Sequence, residues 1–343
     1  MSATEDYRAL REGAGIGAIS PRIQLAVAGQ DRAAYLQGLL TNDIQALVAG
    51  SGCYAAWLSP QGRMLTDMHV LESGGMMLLD VPAETATATL ERLDQFIFAE
   101  DVKVGSMAET LAGVWVHGPQ AAAALERTLE GARDLGEWPD YRHAQFELSG
   151  QPVSVARIDQ LGVPGYCVYL ERSSGGAFVA ALQSAGARPA SAGALDAARI
   201  ESGYPVFGVD MTETTIPLEA GIEQRAISFT KGCYVGQEIV IRVLHRGGGR
   251  VAKKLVSMRI DGAQPARGAK LSAGDREIGE ITSAAESPRL GTIALGYVQR
   301  DFTAPGTQIQ VEVDGRNAAA LVAERPMLTR GPDPGGASEA PIP

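Results

Sequence analysis

The first 200 residues mix short strand-like runs with amphipathic helical runs. Apolar and polar residues alternate in the strand candidates, while apolar residues recur every three or four positions in the helix candidates. The order of the two kinds of element is too irregular for a doubly wound parallel sheet, so the pattern favours an α+β fold. Strands are predicted over 22–28, 53–58, 64–71, 76–81, 111–116, 153–158 and 166–170, and helices over 31–40, 82–98, 119–130, 178–184 and 192–202.

The pattern changes at Val251, after which five strand-like runs follow with no helical run between them. Turns rich in Gly, Pro and Asp separate these runs, which is typical of a small β-barrel or sandwich. Residues 326–343 contain five prolines and no apolar periodicity, so we expect a disordered tail there. The predicted division is 1–246 for two intertwined α+β domains, 247–325 for the β-barrel and 326–343 for the tail.

Composition excludes several classes of protein. The chain has 343 residues, 30 Lys and Arg against 40 Asp and Glu, and a net charge of −10, which argues against direct nucleic-acid binding. Three widely spaced cysteines without a C-x-x-C motif give no structural metal site and no disulfide framework. No run of 18 apolar residues and no signal peptide are present in the sequence, so we expect a cytoplasmic protein without a membrane span.

Two acidic residues stand out before position 202. Asp67 and His69 share one face of the strand predicted over 64–71 and could form a ligand site, or that face could simply be solvated. Glu201 lies near a helix end and could accept two hydrogen bonds from an amidine-like edge such as that of a pterin. The alternative for Glu201 is an ordinary carboxylate on a helix surface.

The most unusual run is KGCYVGQE over 231–238. Its first four residues resemble a tight turn, and Gly236 permits a second bend or a close backbone approach. A turn cysteine two residues after Lys231 could be exposed and reactive, or the run could be a structural loop with an inert thiol. Six basic residues and one acid lie over 231–254, so this stretch, which includes Arg242, predicts either a rim for an anionic ligand or RNA, or a solvated linker.

The run over 231–238 closely resembles the signature of the YgfZ family, folate-binding proteins tied to iron–sulfur enzyme maturation and tRNA modification. The resemblance extends to 35–44, 59–67 and 198–221, and the last of these stretches is also similar to the aminomethyltransferase, or T-protein, of the glycine cleavage system. Both families cover nearly the whole chain. Their shared fold implies three domains in a ring around a central tetrahydrofolate channel, with a small C-terminal β-barrel. The signature residues are Lys231, Gly232, Cys233, Tyr234, Gly236, Gln237 and Glu238.

The resemblance also implies roles for individual residues. Glu201 matches the pterin-binding glutamate, Asp67 lies near the channel centre, and Arg242 is expected to attract the glutamate tail of folate. The T-protein carries an acidic pair where this chain has Thr66 and Asp67, and Thr66 cannot supply a carboxylate. The resemblance therefore favours a tetrahydrofolate-binding accessory protein for 4Fe–4S enzymes, such as radical-SAM tRNA-modifying enzymes, with Cys233 as a functional thiol. The alternative is a folate-dependent aminomethyltransferase or demethylase in which Asp67 is catalytic.

Overall fold

The computed structural model describes residues 3–245 and 250–328. In chain order the elements are α1 (Ala3–Glu12), β1 (Gly15–Ile16), β2 (Arg22–Ala28), α2 (Arg32–Leu39), β3 (Ser51–Leu58), β4 (Met64–Glu72), β5 (Met76–Pro82), α3 (Ala86–Gln95), β6 (Lys103–Ser106), β7 (Leu111–His117), α4 (Ala121–Thr128), β8 (His143–Leu148), β9 (Gln151–Arg157), β10 (Gly165–Glu171), α5 (Gly175–Ser184), β11 (Arg188–Pro189), α6 (Ala192–Glu201), α7 (Pro217–Ala220), α8 (Glu223–Ala226), α9 (Gln237–His245), β12 (Lys253–Ile260), β13 (Lys270–Ala273), β14 (Arg276–Ser287), β15 (Gly291–Gln299), β16 (Gln308–Val313) and β17 (Arg316–Ala323). Short 3₁₀ turns lie at Leu135–Glu137, Arg172–Ser174 and Arg300–Phe302.

Two mixed layers form the α+β part. A five-stranded sheet has the order β3-β4-β5-β2-β6, and its apolar face packs with residues of α2 and α3 around Trp57, Met68 and Leu79. A six-stranded sheet has the order β11-β1-β7-β10-β9-β8 and packs with α4 and α5 around Tyr166 and Phe178. Each helix thus buries one apolar face against a sheet, which provides the main stabilisation of both layers.

The C-terminal strands close into a barrel in the order β12-β15-β14-β13-β16-β17. Its interior contains Met258, Ile281 and Val311, all almost fully buried. Helix α6 packs against the outside of the barrel and α1 packs on α6, with Leu10, Leu195 and other apolar residues in one shared cluster. The barrel is therefore held against the α+β part by an apolar contact as well as by the chain connection.

The structure confirms the predicted α+β body and the small all-β barrel, and it differs from the sequence prediction at several elements. Pro82 ends β5, where it pairs with Arg22, and the helix predicted from 82 begins at Ala86. Proline lacks an amide N–H, so it can end a strand as readily as it can open a helix. The pattern did not indicate the helices α1 and α9 or the short sixth barrel strand β13, nor the shorter elements β1, β6, β8, β11, α7 and α8.

Helix α9 has a clear reason for being missed. Its sequence, QEIVIRVLH, is rich in β-branched residues, which favour strands. Val240 is nevertheless almost fully buried in a cluster with Tyr234 and Leu58, so tertiary packing overrides the local preference. Part of the predicted basic stretch, 246–249, and most of the predicted tail, from 329, lie outside the described residues.

Within the described residues, no helix combines the length and apolar character needed to cross a bilayer.

Polar groups lie at the junction of the two sheets, the segment after α6 and the barrel. A cavity of about 630 Å³ at this junction is lined by residues of the α+β part and the barrel, among them Gln160, Tyr204, Arg225 and Leu255.

His117 is a buried histidine in β7 that links the fold to pH. Its side chain is fully buried, stacks on Trp115 at 5.7 Å between ring centroids, and places Nε2 3.1 Å from the Gly17 carbonyl oxygen. Burial lowers the pKa of His117 to about 4. The unfolded chain, in which this histidine titrates normally, therefore binds more protons than the folded chain between about pH 6.5 and pH 4.

We predict that His117 makes the protein less stable as the pH falls from 7 to 5, by about 2 kcal/mol for this one group. His117→Gln keeps a donor for the Gly17 carbonyl but cannot titrate, so its stability should fall less over the same range. Urea unfolding of both proteins at pH 7 and pH 5 measures the difference. Equal pH dependence in the two proteins would contradict this role.

Candidate functional site

Asp67 lies at the centre of a buried polar cluster on β4. Its side chain is 3% exposed. The Tyr54 hydroxyl donates a hydrogen bond to Oδ2 at 2.8 Å, and Nη1 of Arg22 lies 3.2 Å from Oδ1. Both carboxylate oxygens are therefore held by donors, which fixes the orientation of the group.

Arg22 holds a second carboxylate at the same place. Its Nε donates to Oδ1 of Asp80 at 2.8 Å, and the Tyr169 hydroxyl donates to Oδ2 of Asp80 at 2.7 Å. Burial raises the pKa of Asp80 despite the neighbouring guanidinium of Arg22. Since Asp80 lies on β5 and Tyr169 on β10, this group also connects the two sheets.

Thr66 points away from this cluster. Successive residues of a strand face opposite sides of the sheet, and the Thr66 hydroxyl lies 2.7 Å from that of Thr85. The side chains of Thr66 and Asp67 thus lie on opposite faces of β4. Asp67 is the residue of the two that supplies a carboxylate to the buried cluster.

His69 shares the Asp67 face of β4, as the strand periodicity predicts. It is fully buried, with Nδ1 2.9 Å from the Tyr141 hydroxyl and Nε2 3.2 Å from Nε2 of Gln160. Burial lowers the pKa of His69 well below its usual value, and the cations Arg22 and Arg225 lower it further. His69 is therefore neutral at pH 7 and acts as a hydrogen-bonding group.

Arg225 in α8 brings a further cation to the junction. Its guanidinium carbon lies 4.3 Å from the ring centroid of Tyr204 and 5.2 Å from that of Tyr54, both cation–π distances. Arg225 and Tyr204 line the junction cavity. Because the Tyr54 hydroxyl binds Asp67, a single tyrosine separates the cavity cation from the buried carboxylate.

Glu201 lies at the end of α6 in a different network. It is fully buried, the Tyr7 hydroxyl is 2.8 Å from both carboxylate oxygens, and Arg11 and Ser287 also donate to the group. These partners come from α1 and β14, so Glu201 joins two helices to the barrel. The carboxylate has its donors within the protein, and no described contact joins it to Asp67.

The loop over 231–238 is anchored through Lys231. The Lys231 ammonium donates to the carbonyl oxygens of Gln37, Leu40 and Asn42 at 2.7, 2.6 and 2.9 Å. It thereby satisfies carbonyl oxygens at the C-terminal end of α2, where a cation is favourable. Burial lowers the pKa of Lys231 to about 8. Because the ammonium holds three carbonyl oxygens, shortening this side chain should loosen the loop.

Close backbone packing fixes the second half of this loop. Gly236 has φ +84°, and a Cβ at this position would fall 2.5 Å from the carbonyl oxygen of Ser59. Tyr234 is buried and packs near the Lys231 ammonium, at 5.1 Å. The predicted bend at Gly236 is thus present for two reasons, a positive φ and the lack of room for a side chain.

The remaining predicted site residues lie on the outside of this segment. Cys233 and Gly232 are exposed at the tip of the loop, Gln237 and Glu238 begin α9, and Arg242 is exposed on α9. None of the five is among the residues that line the junction cavity. The structure therefore separates the predicted site residues into three places: Asp67 at the junction, Glu201 between α6 and the barrel, and the signature loop at the surface.

Several residues of the junction cluster were not predicted. Arg22 opens a strand that alternates normally, and no sequence signal distinguishes it from a solvated edge residue. A tyrosine is equally ordinary in a strand such as β3 or β10. The residues added by the structure are Arg22, Tyr54, Asp80, Tyr141, Gln160, Tyr169, Tyr204 and Arg225.

Family models match both parts of the chain. The GCVT N-terminal domain matches residues 1–231, and the glycine cleavage T-protein C-terminal barrel domain matches residues 253–328. The chain belongs to the glycine cleavage T-protein family. Its T-protein-like fold, with the closed C-terminal barrel, agrees with the architecture predicted from the sequence.

Relatives and a solved structure cover this T-protein family member almost completely. The aminomethyltransferase of Thermosynechococcus vestitus is 30% identical over 96% of this chain and 88% of the relative. That of Rubrobacter xylanophilus is 32% identical over 95% and 83%. The crystal structure of the glycine cleavage system aminomethyltransferase T from Bartonella henselae has a TM-score of 0.85 at 24% identity and covers 96% of this chain and 90% of that one. The last comparison shows the fold.

We predict that one thiol per native chain reacts quickly with Ellman's reagent, because Cys233 is exposed while Cys53 is half-buried and Cys167 is buried. Burial also raises the pKa of Cys53, to about 12, and that of Cys167 well above its usual value. Cys233→Ser should remove the fast reaction, and the control Cys53→Ser should keep it. A fast thiol that survives Cys233→Ser would show that the loop tip is not as the structure places it.

Proposed function

We propose that this T-protein family member binds tetrahydrofolate in the junction cavity and transfers a one-carbon unit with it. The observation that carries the proposal is the Asp67 carboxylate, which is buried, held by Arg22 and Tyr54, and separated only by Tyr54 from Arg225 on the cavity wall. The names of the relatives, aminomethyltransferases that match almost the whole chain, support the same class of reaction.

The residues of the cavity suit a flat, polar ligand of this kind. Tyr204 offers an aromatic face, Gln160 offers an amide with both donor and acceptor groups, and Arg225 offers a cation. A concave site with a few well-placed polar groups is typical of small-molecule binding. A volume of about 630 Å³ lies within the range of sites for drug-sized ligands.

Bound tetrahydrofolate would supply an amine nitrogen that takes up the one-carbon unit. The part we assign to Asp67 is to hold its carboxylate beside that nitrogen and to stabilise positive charge that develops there. Arg22 and Tyr54 orient the carboxylate. His69, being neutral, adds no opposing positive charge on the same face of β4.

We also propose that Glu201 binds the pterin ring, as the resemblance implies. To do so, the carboxylate must give up hydrogen bonds to its present donors. Its carboxylate already accepts from Tyr7, Arg11 and Ser287. A pterin edge would have to replace at least one of these donors. This role therefore requires a local rearrangement of α1 or β14 on binding.

We predict that Asp67→Asn lowers the rate of formation of 5,10-methylene- or 5-methyl-tetrahydrofolate by about 10²- to 10⁴-fold. Asparagine retains an acceptor for Tyr54 but lacks the charge. The reaction is to be measured by chromatography of the folate products, with an aminomethyl or a methyl donor.

The matched control is Asp275→Asn, at an exposed position in the turn between β13 and β14. It removes the same charge far from the cluster and should leave the rate unchanged. Full activity of Asp67→Asn would overturn the role of Asp67, and the absence of folate binding by the folded wild type would overturn the proposed function.

A second candidate function is the accessory role in maturation of 4Fe–4S enzymes. The observation in its favour is Cys233, exposed at the tip of a loop that Lys231 and Gly236 hold firmly. In this case Cys233→Ala should lower client activity, such as that of a radical-SAM tRNA-modifying enzyme, in cells depleted of the wild-type protein. Client activity should then be higher with Asp67→Asn than with Cys233→Ala. A lower client activity with Asp67→Asn than with Cys233→Ala would favour one-carbon transfer.

A further inference from the structure

Two arginines that line the junction cavity, Arg225 and Arg325, have no salt bridge to a carboxylate in the described part of the chain. Arg325 donates instead to the carbonyl oxygens of Gly203, Ala220 and Leu255, whereas Arg225 lies among tyrosines. In the described part of the chain, none of the salt bridges includes Arg225. Three acids line the same cavity, Asp159, Glu223 and Glu324. Asp159 pairs with Arg157, and Glu223 interacts electrostatically with Arg325. The arginines with little exposed side chain that do pair with an acid are Arg11, Arg22, Arg32, Arg157 and Arg199.

Three tyrosines surround the guanidinium of Arg225. The guanidinium lies against the rings of Tyr204 and Tyr54, and it interacts electrostatically with the hydroxyls of both and of Tyr141. Burial lowers the pKa of Arg225, but the three phenols more than offset this effect, so that the pKa lies above its usual value. The group is a permanent cation between aromatic walls.

The same guanidinium is open to a ligand. Although its guanidinium lies against two tyrosine rings, Arg225 keeps solvent-accessible surface and lines the junction cavity of about 630 Å³. A cation that projects into a cavity without a counter-ion is a favourable place for an anion. The planar fork of an arginine matches the two oxygens of a carboxylate, and tyrosine hydroxyls can donate further hydrogen bonds.

We propose that Arg225 binds a carboxylate group of the ligand that occupies the junction cavity. Tyr54 joins the two ends of this site, since its ring contacts Arg225 and its hydroxyl binds Asp67. A ligand bound to Arg225 would therefore be held within about one tyrosine length of the buried carboxylate.

Two molecules can supply this carboxylate, the glutamate part of a folate or a small one-carbon donor that carries its own carboxylate. Only the identity of the ligand rests on the proposed function. The carboxylate site itself can be tested with fragments. The probes are p-aminobenzoyl-L-glutamate for the folate glutamate, N-methylglycine for a carboxylated amine donor, and 6-methyltetrahydropterin, which has no carboxylate.

The experiment is calorimetric titration of each probe into the wild type, Arg225→Met, Arg225→Lys and the exposed control Arg316→Met. We expect Arg225→Met to weaken binding of one carboxylate probe by about 10- to 100-fold. Arg225→Lys, which keeps the charge, should weaken it less. Binding of 6-methyltetrahydropterin, and all binding by Arg316→Met, should not change. The carboxylate probe that responds identifies the source of the group.

Equal affinity of the wild type and Arg225→Met for both carboxylate probes would overturn the inference, as would a wild type that binds neither. A wild type that fails to bind 6-methyltetrahydropterin but binds a carboxylate probe through Arg225 would contradict the folate proposal and leave the carboxylate site in place. Thermal melting checks that each variant is folded. If Arg225→Met does not fold, Arg225→Lys and Tyr204→Phe test the same site, and unchanged affinity in both would overturn it.

Discussion

Arg22 binds two different carboxylates at once, and the junction depends on this double interaction. One guanidinium lies between the carboxylates of Asp67 and Asp80, and a tyrosine from each sheet binds the outer oxygen of one carboxylate. Two buried acids without this cation would repel each other and lose hydration at the same time. Arg22 therefore allows an acidic group to remain in the interior, and the two sheets meet around it.

The separation of stabilising and reactive groups follows from this arrangement. Asp80 has Arg22 and Tyr169 as partners and connects the sheets, while Asp67 lies nearer to Tyr54 and Arg225 and so to the cavity. Glu201 has a network of its own that joins α1, α6 and the barrel. Buried polar groups are stable when every member has a partner, and Arg225, which has no carboxylate partner, is the group whose environment is completed best by a ligand.

The sequence predicted the α+β body and the β-barrel because these depend on the periodicity of apolar residues, which is local. It predicted Asp67 and His69 on one face for the same reason. It could not predict Arg22, Asp80 or Arg225 as parts of one cluster, since their positions depend on how two sheets and a four-residue helix come together. The helix α9 was hidden by its β-branched residues, and the Gly236 bend was predicted because glycine has a physical signature of its own.

The most direct test of this account is a crystal structure of the protein with 5-formyltetrahydrofolate. We expect the ligand to occupy the junction cavity, with its pterin nitrogens nearest to Asp67 and with Arg22 still bound to that carboxylate. Folate bound at the surface, or in the cavity with Asp67 still sealed from it by Tyr54, would contradict the central role of Asp67.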